Sequence, residues 1–187
     1  MEDRDLYGIS GGGVTFTGGE PLLQAQALRP LLKELGRLKI HRAVETCMAV
    51  PWETAEPLLE ELDLVFCDFK CLSDSLHREG TGASNRQILE NLRLLAVRAK
   101  RLVVRIPVIV GFNDGELADM AAWLRDLGDG FETELLPYHD LCASKYEALR
   151  RPFLTEGYRT PSKAEMETFR SLFRPGEQGG TSWNTTG

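Results

Sequence analysis

Gly11-Gly12-Gly13-Val14-Thr15-Phe16-Thr17-Gly18-Gly19-Glu20-Pro21 decides how this chain is read. A short β-branched and aromatic run at 14–16 stops at a polar glycine turn, and Leu28, Leu31, Leu32 and Leu35 then recur at helical spacing. The same alternation continues along the chain. Further strand-like runs lie at 42–44, 64–69, 102–110 and 131–136, with amphipathic stretches between them. Ser84-Asn85-Arg86-Gln87 reads as a capping box before Ile88, Leu92, Leu95, Ala96 and Ala99. Asn113-Asp114-Gly115-Glu116 reads as a cap before Leu117, Met120, Ala121 and Leu124, and Ser162-Lys163-Ala164-Glu165 as another before Met166, Phe169 and Phe173. Pro30 and Pro57 fall inside helical patterns, where each either kinks a helix or starts a new one. Strands alternating with helices predict βαβ units and a parallel sheet. At roughly 30 residues per unit, a chain of this length holds about six.

Composition narrows the class further. The chain has 187 residues, with 22 basic against 28 acidic side chains, a formal charge of −6 and a pI near 5.2. That balance suits neither nucleic acid nor an anionic membrane surface. The longest apolar stretch, 102–112, is interrupted by Arg105 and falls well short of the ~20 residues of a membrane helix. Met1-Glu2-Asp3-Arg4-Asp5 is acidic rather than signal-like. Cysteines at 47, 67, 71 and 142 form no secreted framework, so a cytoplasmic globular protein is expected. Residues 1–174 read as one domain and 175–187 as a flexible tail, whose Asn184-Thr185-Thr186 matches a glycosylation sequon without meaning in a cytoplasmic chain.

In parallel α/β folds chemistry gathers at the carboxyl ends of the strands. Five strand ends here offer Gly18, Gly19 and Glu20; Glu45 and Thr46; Asp68 and Lys70; Arg105; and His139. The adjacent glycines permit close backbone approach to a ligand, and Glu20 supplies an anion suited to an ammonium or hydroxyl group. The segment also reads as a tight βα turn with a solvated glutamate. It is neither the G-x-G-x-x-G fingerprint nor a phosphate loop. Strand parity puts Phe66, Asp68 and Lys70 on one side and Cys67 and Phe69 on the other, with Cys67 an inert thiol toward the helix layer. Four residues of strand separate Cys67 from Cys71 by roughly 13 Å, which disfavours a shared metal, and no protein-bound metal site is assigned. His41 and His77 read as surface histidines.

The run from Ser10 to Gln24 closely resembles the radical S-adenosylmethionine (SAM) activating enzymes of glycyl-radical enzymes, a family that includes pyruvate formate-lyase activase. Glu45-Thr46-Cys47, Asp68-Phe69-Lys70, Arg105-Ile106-Pro107, Gly111-Phe112-Asn113-Asp114 and Leu135-Leu136-Pro137-Tyr138-His139 follow in the family's order. The resemblance covers roughly residues 5–173. Glu-Thr-Cys and Arg-Ile-Pro look more like activases of decarboxylase- or lyase-type partners than like the formate-lyase one. The resemblance implies a partial (β/α)6 TIM-like barrel of the radical SAM type. Within it, Gly18, Gly19 and Glu20 would contact the SAM amino group, and Asp68, Phe69 and Lys70 would line the site. Arg105 would lie near the polar groups of SAM and His139 near its adenosyl portion. Glu45, Thr46 and Asp68 match positions that help bind a monovalent cation beside the SAM carboxylate. The family often has Asp at Glu45 and another residue at Phe66.

The resemblance departs at the front of the chain. The family's C-x-x-x-C-x-x-C loop holds a 4Fe–4S cluster, whose open iron binds SAM and cleaves it reductively. The 5′-deoxyadenosyl radical so formed takes hydrogen from a glycine Cα of the partner enzyme. No cysteines here have that spacing, so the expectation is a barrel lacking its first βα unit, truncated and inactive by itself. The chain also leaves the family pattern near Arg174. The implied partners are a glycyl-radical enzyme and a low-potential donor such as flavodoxin or ferredoxin. Two other functions compete: a cluster-free module that binds SAM or the partner without turnover, and an unrelated barrel enzyme using Asp68, Lys70 and His139 in acid–base work.

Overall fold

Five short strands lie side by side in chain order in the computed structural model, which describes Tyr7 and residues 12–139 and 157–174. They are β1 (Gly13–Phe16), β2 (His41–Thr46), β3 (Leu64–Asp68), β4 (Leu102–Val108) and β5 (Glu132–Pro137), and every neighbouring pair is parallel. Helices make the crossovers: α1 (Ala25–Arg37), α2 (Trp52–Leu59), α3 (Asp74–Thr81), α4 (Arg86–Arg98) and α5 (Leu117–Leu127), with α6 (Lys163–Leu172) packed on α5. A strictly sequential order with right-handed crossovers puts all the crossover helices on one face of the sheet. The core forms there. Val44, Val65, Cys67, Val104, Ile106 and Val108 from the strands meet Leu32, Leu58, Leu92, Leu95, Leu117 and Met120 from the helices, all nearly or fully buried. Burying each such side chain contributes about 1.5–3 kcal/mol before ordering costs.

The other face follows the opposite strand parity and is polar and partly open. It carries Thr15, Glu45, Phe66, Asp68, Arg105 and Glu134, each half-buried or exposed. The five expected strands are all present, and β1 pairs with β2 alone among the described residues. β2 runs two residues further than expected, so Glu45 and Thr46 end the strand instead of following it. β3 and β4 stop at Asp68 and Val108, short of the expected ends.

The local signals divide in their outcome. Ser162 and Glu165 form a true capping box on α6, with Glu165 accepting from the Ser162 amide at 2.8 Å and Ser162 from the Glu165 amide at 3.3 Å. The expected box at Ser84 does not form, because the Ser84 hydroxyl donates to Asp74 and α4 begins after Asn85 without a side-chain cap. Asn113 likewise makes no cap; its fully buried amide bridges the Ile109 N–H and the carbonyls of Lys70 and Pro107. α1 and α2 run through Pro30 and Pro57. The carbonyls these prolines cannot bond belong to Gln26 and Glu53, both exposed residues. His77 is not a surface histidine: only 4 % of it is exposed, and its Nδ1 lies 2.7 Å from the Ala83 carbonyl. The tail at 175–187, with its sequon, and Cys142 lie outside the described residues.

Candidate functional site

The site begins with the turn after β1. Gly18 adopts φ +135°, which a side chain strains to reach, and neither Gly18 nor Gly19 has any atom within 4 Å of where a Cβ would stand. Both Cα atoms therefore face open space. Glu20 closes the turn and caps the following 3-10 turn, Pro21–Gln24. Its Oε1 accepts from the Leu22 amide at 3.1 Å and the Thr46 hydroxyl at 2.7 Å. Its Oε2 accepts from the Cys47 amide at 2.9 Å and the Cys47 thiol at 3.1 Å. A carboxylate has about four lone-pair sites, so this one is saturated by the chain itself. Glu20 thus ties the β1 turn to the end of β2.

Arg105 organises the neighbouring charges. From β4 its guanidinium reaches across two strands, donating to Glu45 at 3.0 Å and to Asp68 at 3.0 and 3.2 Å, over the Phe66 ring at 5.0 Å. The Thr17 hydroxyl donates to the second Glu45 oxygen at 2.9 Å. These bonds, that from Arg105 foremost, hold the Glu45 carboxyl below the usual carboxylate range. Lys70 lies 3.5 Å from Asp68, at the edge of hydrogen-bond reach, and a third of its side chain is exposed. Its ammonium keeps donors available for another anion.

These residues enclose one cleft of about 320 Å³ at the carboxyl ends of β1–β4. Of the expected site residues, Gly18, Gly19, Glu45, Thr46, Asp68, Lys70 and Arg105 line it together. Glu20 borders an adjoining groove with Phe16, Leu23 and Leu28. Phe69 does not join them: its side chain is 1 % exposed in the core and packs on Trp123 at 5.2 Å between centroids. His139 is exposed just past β5, outside the residues that line the cleft. Glu45 and Asp68, two of the residues tied to a cation by resemblance, both hold Arg105 instead.

Two lining residues were not expected, Thr17 and Cys47. Thr17 shares strand parity with Thr15 and so was within reach of the pattern. Cys47 was not, because it depends on a backbone reversal at buried Met48, φ +58°. The Asn91 amide steadies that reversal by donating to the Met48 and Val50 carbonyls at 2.9 and 2.8 Å. A polar residue within the apolar stripe of α4 was the available signal. Asn85 and Glu116 act similarly after β3, Asn85 donating to the Cys71 and Leu72 carbonyls and Glu116 accepting from the Leu72 and Ser73 amides.

The cleft fits the methionyl end of SAM. Among the lining charges Glu45 and Asp68 balance Lys70 and Arg105, and Glu20 at the adjoining groove adds one negative charge, opposite to a ligand with an ammonium, a sulfonium and a carboxylate. The open Gly18-Gly19 backbone leaves room for close approach. The described residues do not fit a 4Fe–4S cluster. Among the described residues no group of three or more His, Cys, Asp or Glu side chains could hold a metal ion. Burial also pushes the Cys67 thiol far up and that of Cys71 up to about 12, so both stay protonated thiols in the core.

Comparison with known proteins identifies the family and the fold. Residues 5–124 match the model of the radical SAM superfamily. The chain is 44% identical over 154 residues to the isethionate sulfite-lyase activating enzyme of Nitratidesulfovibrio vulgaris, covering 80% of this chain and 50% of that protein. It is 36% identical over 168 residues to the 4-hydroxyphenylacetate decarboxylase activating enzyme of Clostridioides difficile, covering 88% and 53%. It thus spans about half the length of these relatives. Among solved structures, a domain of pyruvate-formate lyase-activating enzyme from Bacteroides vulgatus superposes with a TM-score of 0.71 at 30% identity, over 87% of this chain and 92% of that one.

Proposed function

The chain belongs to the radical SAM superfamily, and from that premise we propose that it serves in a glycyl-radical enzyme activase, with its strand-end cleft holding the methionyl part of SAM. The observation that carries this reading is the charge pattern around Arg105, beside a glycine turn with no atom near either Cβ position. Lys70, only loosely engaged by Asp68, meets the SAM carboxylate. The Gly18-Gly19 backbone meets its amino group, and saturated Glu20 supplies charge and shape instead of a free lone pair. When bound at a 4Fe–4S cluster and reduced, SAM supplies the means of removing hydrogen from a glycine Cα of the partner.

The described residues offer that cluster no ligands, so the chain alone is expected to bind SAM weakly and not to turn it over. A monovalent cation beside SAM would share Glu45 and Asp68 with Arg105. A glycyl-radical enzyme is the partner, a flavodoxin or ferredoxin the electron source, and the cytoplasm the place. No helix among the described residues is long and apolar enough to cross a membrane.

Titration of the ¹⁵N-labelled chain with SAM tests the cleft. The amides of Gly18, Gly19, Thr46 and Lys70 should shift together and saturate. S-adenosylhomocysteine, lacking the sulfonium charge, should bind more weakly. Shifts confined to other surfaces, or none at all, overturn the proposal.

A further inference from the structure

The glycine turn is followed by a carboxylate that a cysteine side chain holds. We propose that Cys47 is a positioning residue, its thiol donating a hydrogen bond that fixes Glu20 and, through it, the Gly18-Gly19 turn. The inference rests on the SAM reading of the cleft and names a further determinant of it.

Four donors converge on Glu20, and two of them belong to Cys47, its amide at 2.9 Å and its thiol at 3.1 Å, both on Oε2. The thiol is aimed by a backbone with little freedom. Met48 is fully buried at φ +58°, its amide donates to the Thr46 hydroxyl oxygen at 2.8 Å, and Asn91 holds the carbonyls of Met48 and Val50. The Thr46 hydroxyl in turn donates a hydrogen bond to Glu20 at 2.7 Å. Residues 46–50 therefore present two side-chain donors to one carboxylate from a clamped reversal. Burial, and next Glu20, push the Cys47 thiol up, opposed by the Ala49 amide and more weakly by Lys70, so Cys47 remains a protonated donor. Cys67 and Cys71 face the core and make no such contact.

Serine at this position keeps a donor on a shorter bond, whereas alanine leaves Oε2 with the amide alone. The variants therefore separate donation from mere packing. The first measurement is the rate of iodoacetamide alkylation at Cys47 against pH, followed by peptide-resolved mass spectrometry so that the other thiols are scored apart. In Glu20→Gln the midpoint should fall by about one pH unit, a tenfold rise in thiolate below it, because the charge that opposes thiolate formation is gone. A turn that had only loosened would hydrate Cys47 and lower the midpoint too, so amide hydrogen exchange at Cys47 and Met48 is followed in the same variant and should stay as in the unaltered chain. The second measurement is SAM affinity by amide shifts. Cys47→Ser should stay within about threefold of the unaltered chain, and Cys47→Ala should lose about tenfold, in proportion to one charge-assisted hydrogen bond.

An unmoved midpoint, or Cys47→Ala binding SAM as tightly as the unaltered chain, overturns the proposal. Failure of the unaltered chain to bind SAM overturns the functional reading, and positioning for SAM falls with it. The midpoint then still reports the Cys47–Glu20 contact, so the two failures are told apart.

Discussion

Replacing Arg105 with leucine removes the one cation shared by two carboxylates on neighbouring strands. Three hydrogen bonds go: one to Glu45 at 3.0 Å and two to Asp68 at 3.0 and 3.2 Å. Fully buried, each charge-assisted bond contributes about 1.5–3 kcal/mol; fully exposed ion pairs contribute about 0.2–1 kcal/mol. The Arg105 side chain is 16% exposed and each carboxylate 33%, which puts the set between these limits. Glu45 keeps Thr17, and Asp68 keeps its long contact with Lys70. A loss of about 2–3 kcal/mol at pH 7 follows, or roughly 4–12 °C in Tm for a chain of this size.

The pH dependence gives the test its sign. The folded pKa of Glu45 is depressed, chiefly by its bond from Arg105. Its stabilisation is present above the unfolded value of about 4.3 and is lost as pH falls through the lower folded value. Arg105→Leu removes the chief cause of the depression and leaves only the Thr17 bond, so the variant has less to lose in acid. Urea unfolding followed by circular dichroism from pH 7 down to about pH 3.5 should show the two stabilities converging. Arg105→Lys, which keeps the charge and loses the fork, should fall between them. A difference at pH 7 below about 0.5 kcal/mol, or one that stays constant across the range, refutes the reasoning.

Asn91→Leu strands two carbonyls at the buried Met48 reversal and should cost about 2–4 kcal/mol in urea unfolding, with a neutral result counting against the clamp. Gly19→Val projects into open space, so Tm should hold while SAM-induced amide shifts vanish; retained shifts would remove Gly19 from the site. Cys67→Ser should do the reverse, lowering Tm by burying a hydroxyl while leaving the shifts intact. Anaerobic reconstitution of the chain with iron and sulfide should give no stoichiometric 4Fe–4S cluster; four irons per chain would contradict the reading of its cysteines.

Much of the fold was legible because its determinants are local. The period-two parity of β3 correctly separates buried Cys67 and Phe69 from half-buried Phe66, Asp68 and Lys70. The same parity explains why the Phe69 side chain leaves the cleft although both its neighbours line it. Capping was legible only where both partners lie within one turn. Ser162 succeeds with Glu165, whereas Ser84 is drawn to Asp74, ten residues away. The buried asparagines act at longer range still: Asn91 holds carbonyls 43 and 41 residues distant, and Asn113 one 43 residues distant. No local pattern encodes such pairs. Cys47 escaped for the same reason, since its thiol finds a carboxylate 27 residues away.

The charged residues sit on the sheet face without crossover helices for an energetic reason. On the helix-covered face, Val65, Cys67, Val104 and Ile106 are almost fully removed from water, and an unpaired charge there would cost several kcal/mol. On the open face Glu45 and Asp68 keep a third of their surface in solvent, so the network around Arg105 forms without the full desolvation penalty. The same partial hydration gives a ligand something to gain. Closing the cleft expels water from ion pairs already in place, lowering the local dielectric around a fixed constellation. Two independent clamps keep that constellation fixed: Asn91 behind the β2 loop, and Asn113 on the Lys70 carbonyl. The charges can thus remain hydrated yet ordered, because the groups that order them are buried asparagines in the layer behind.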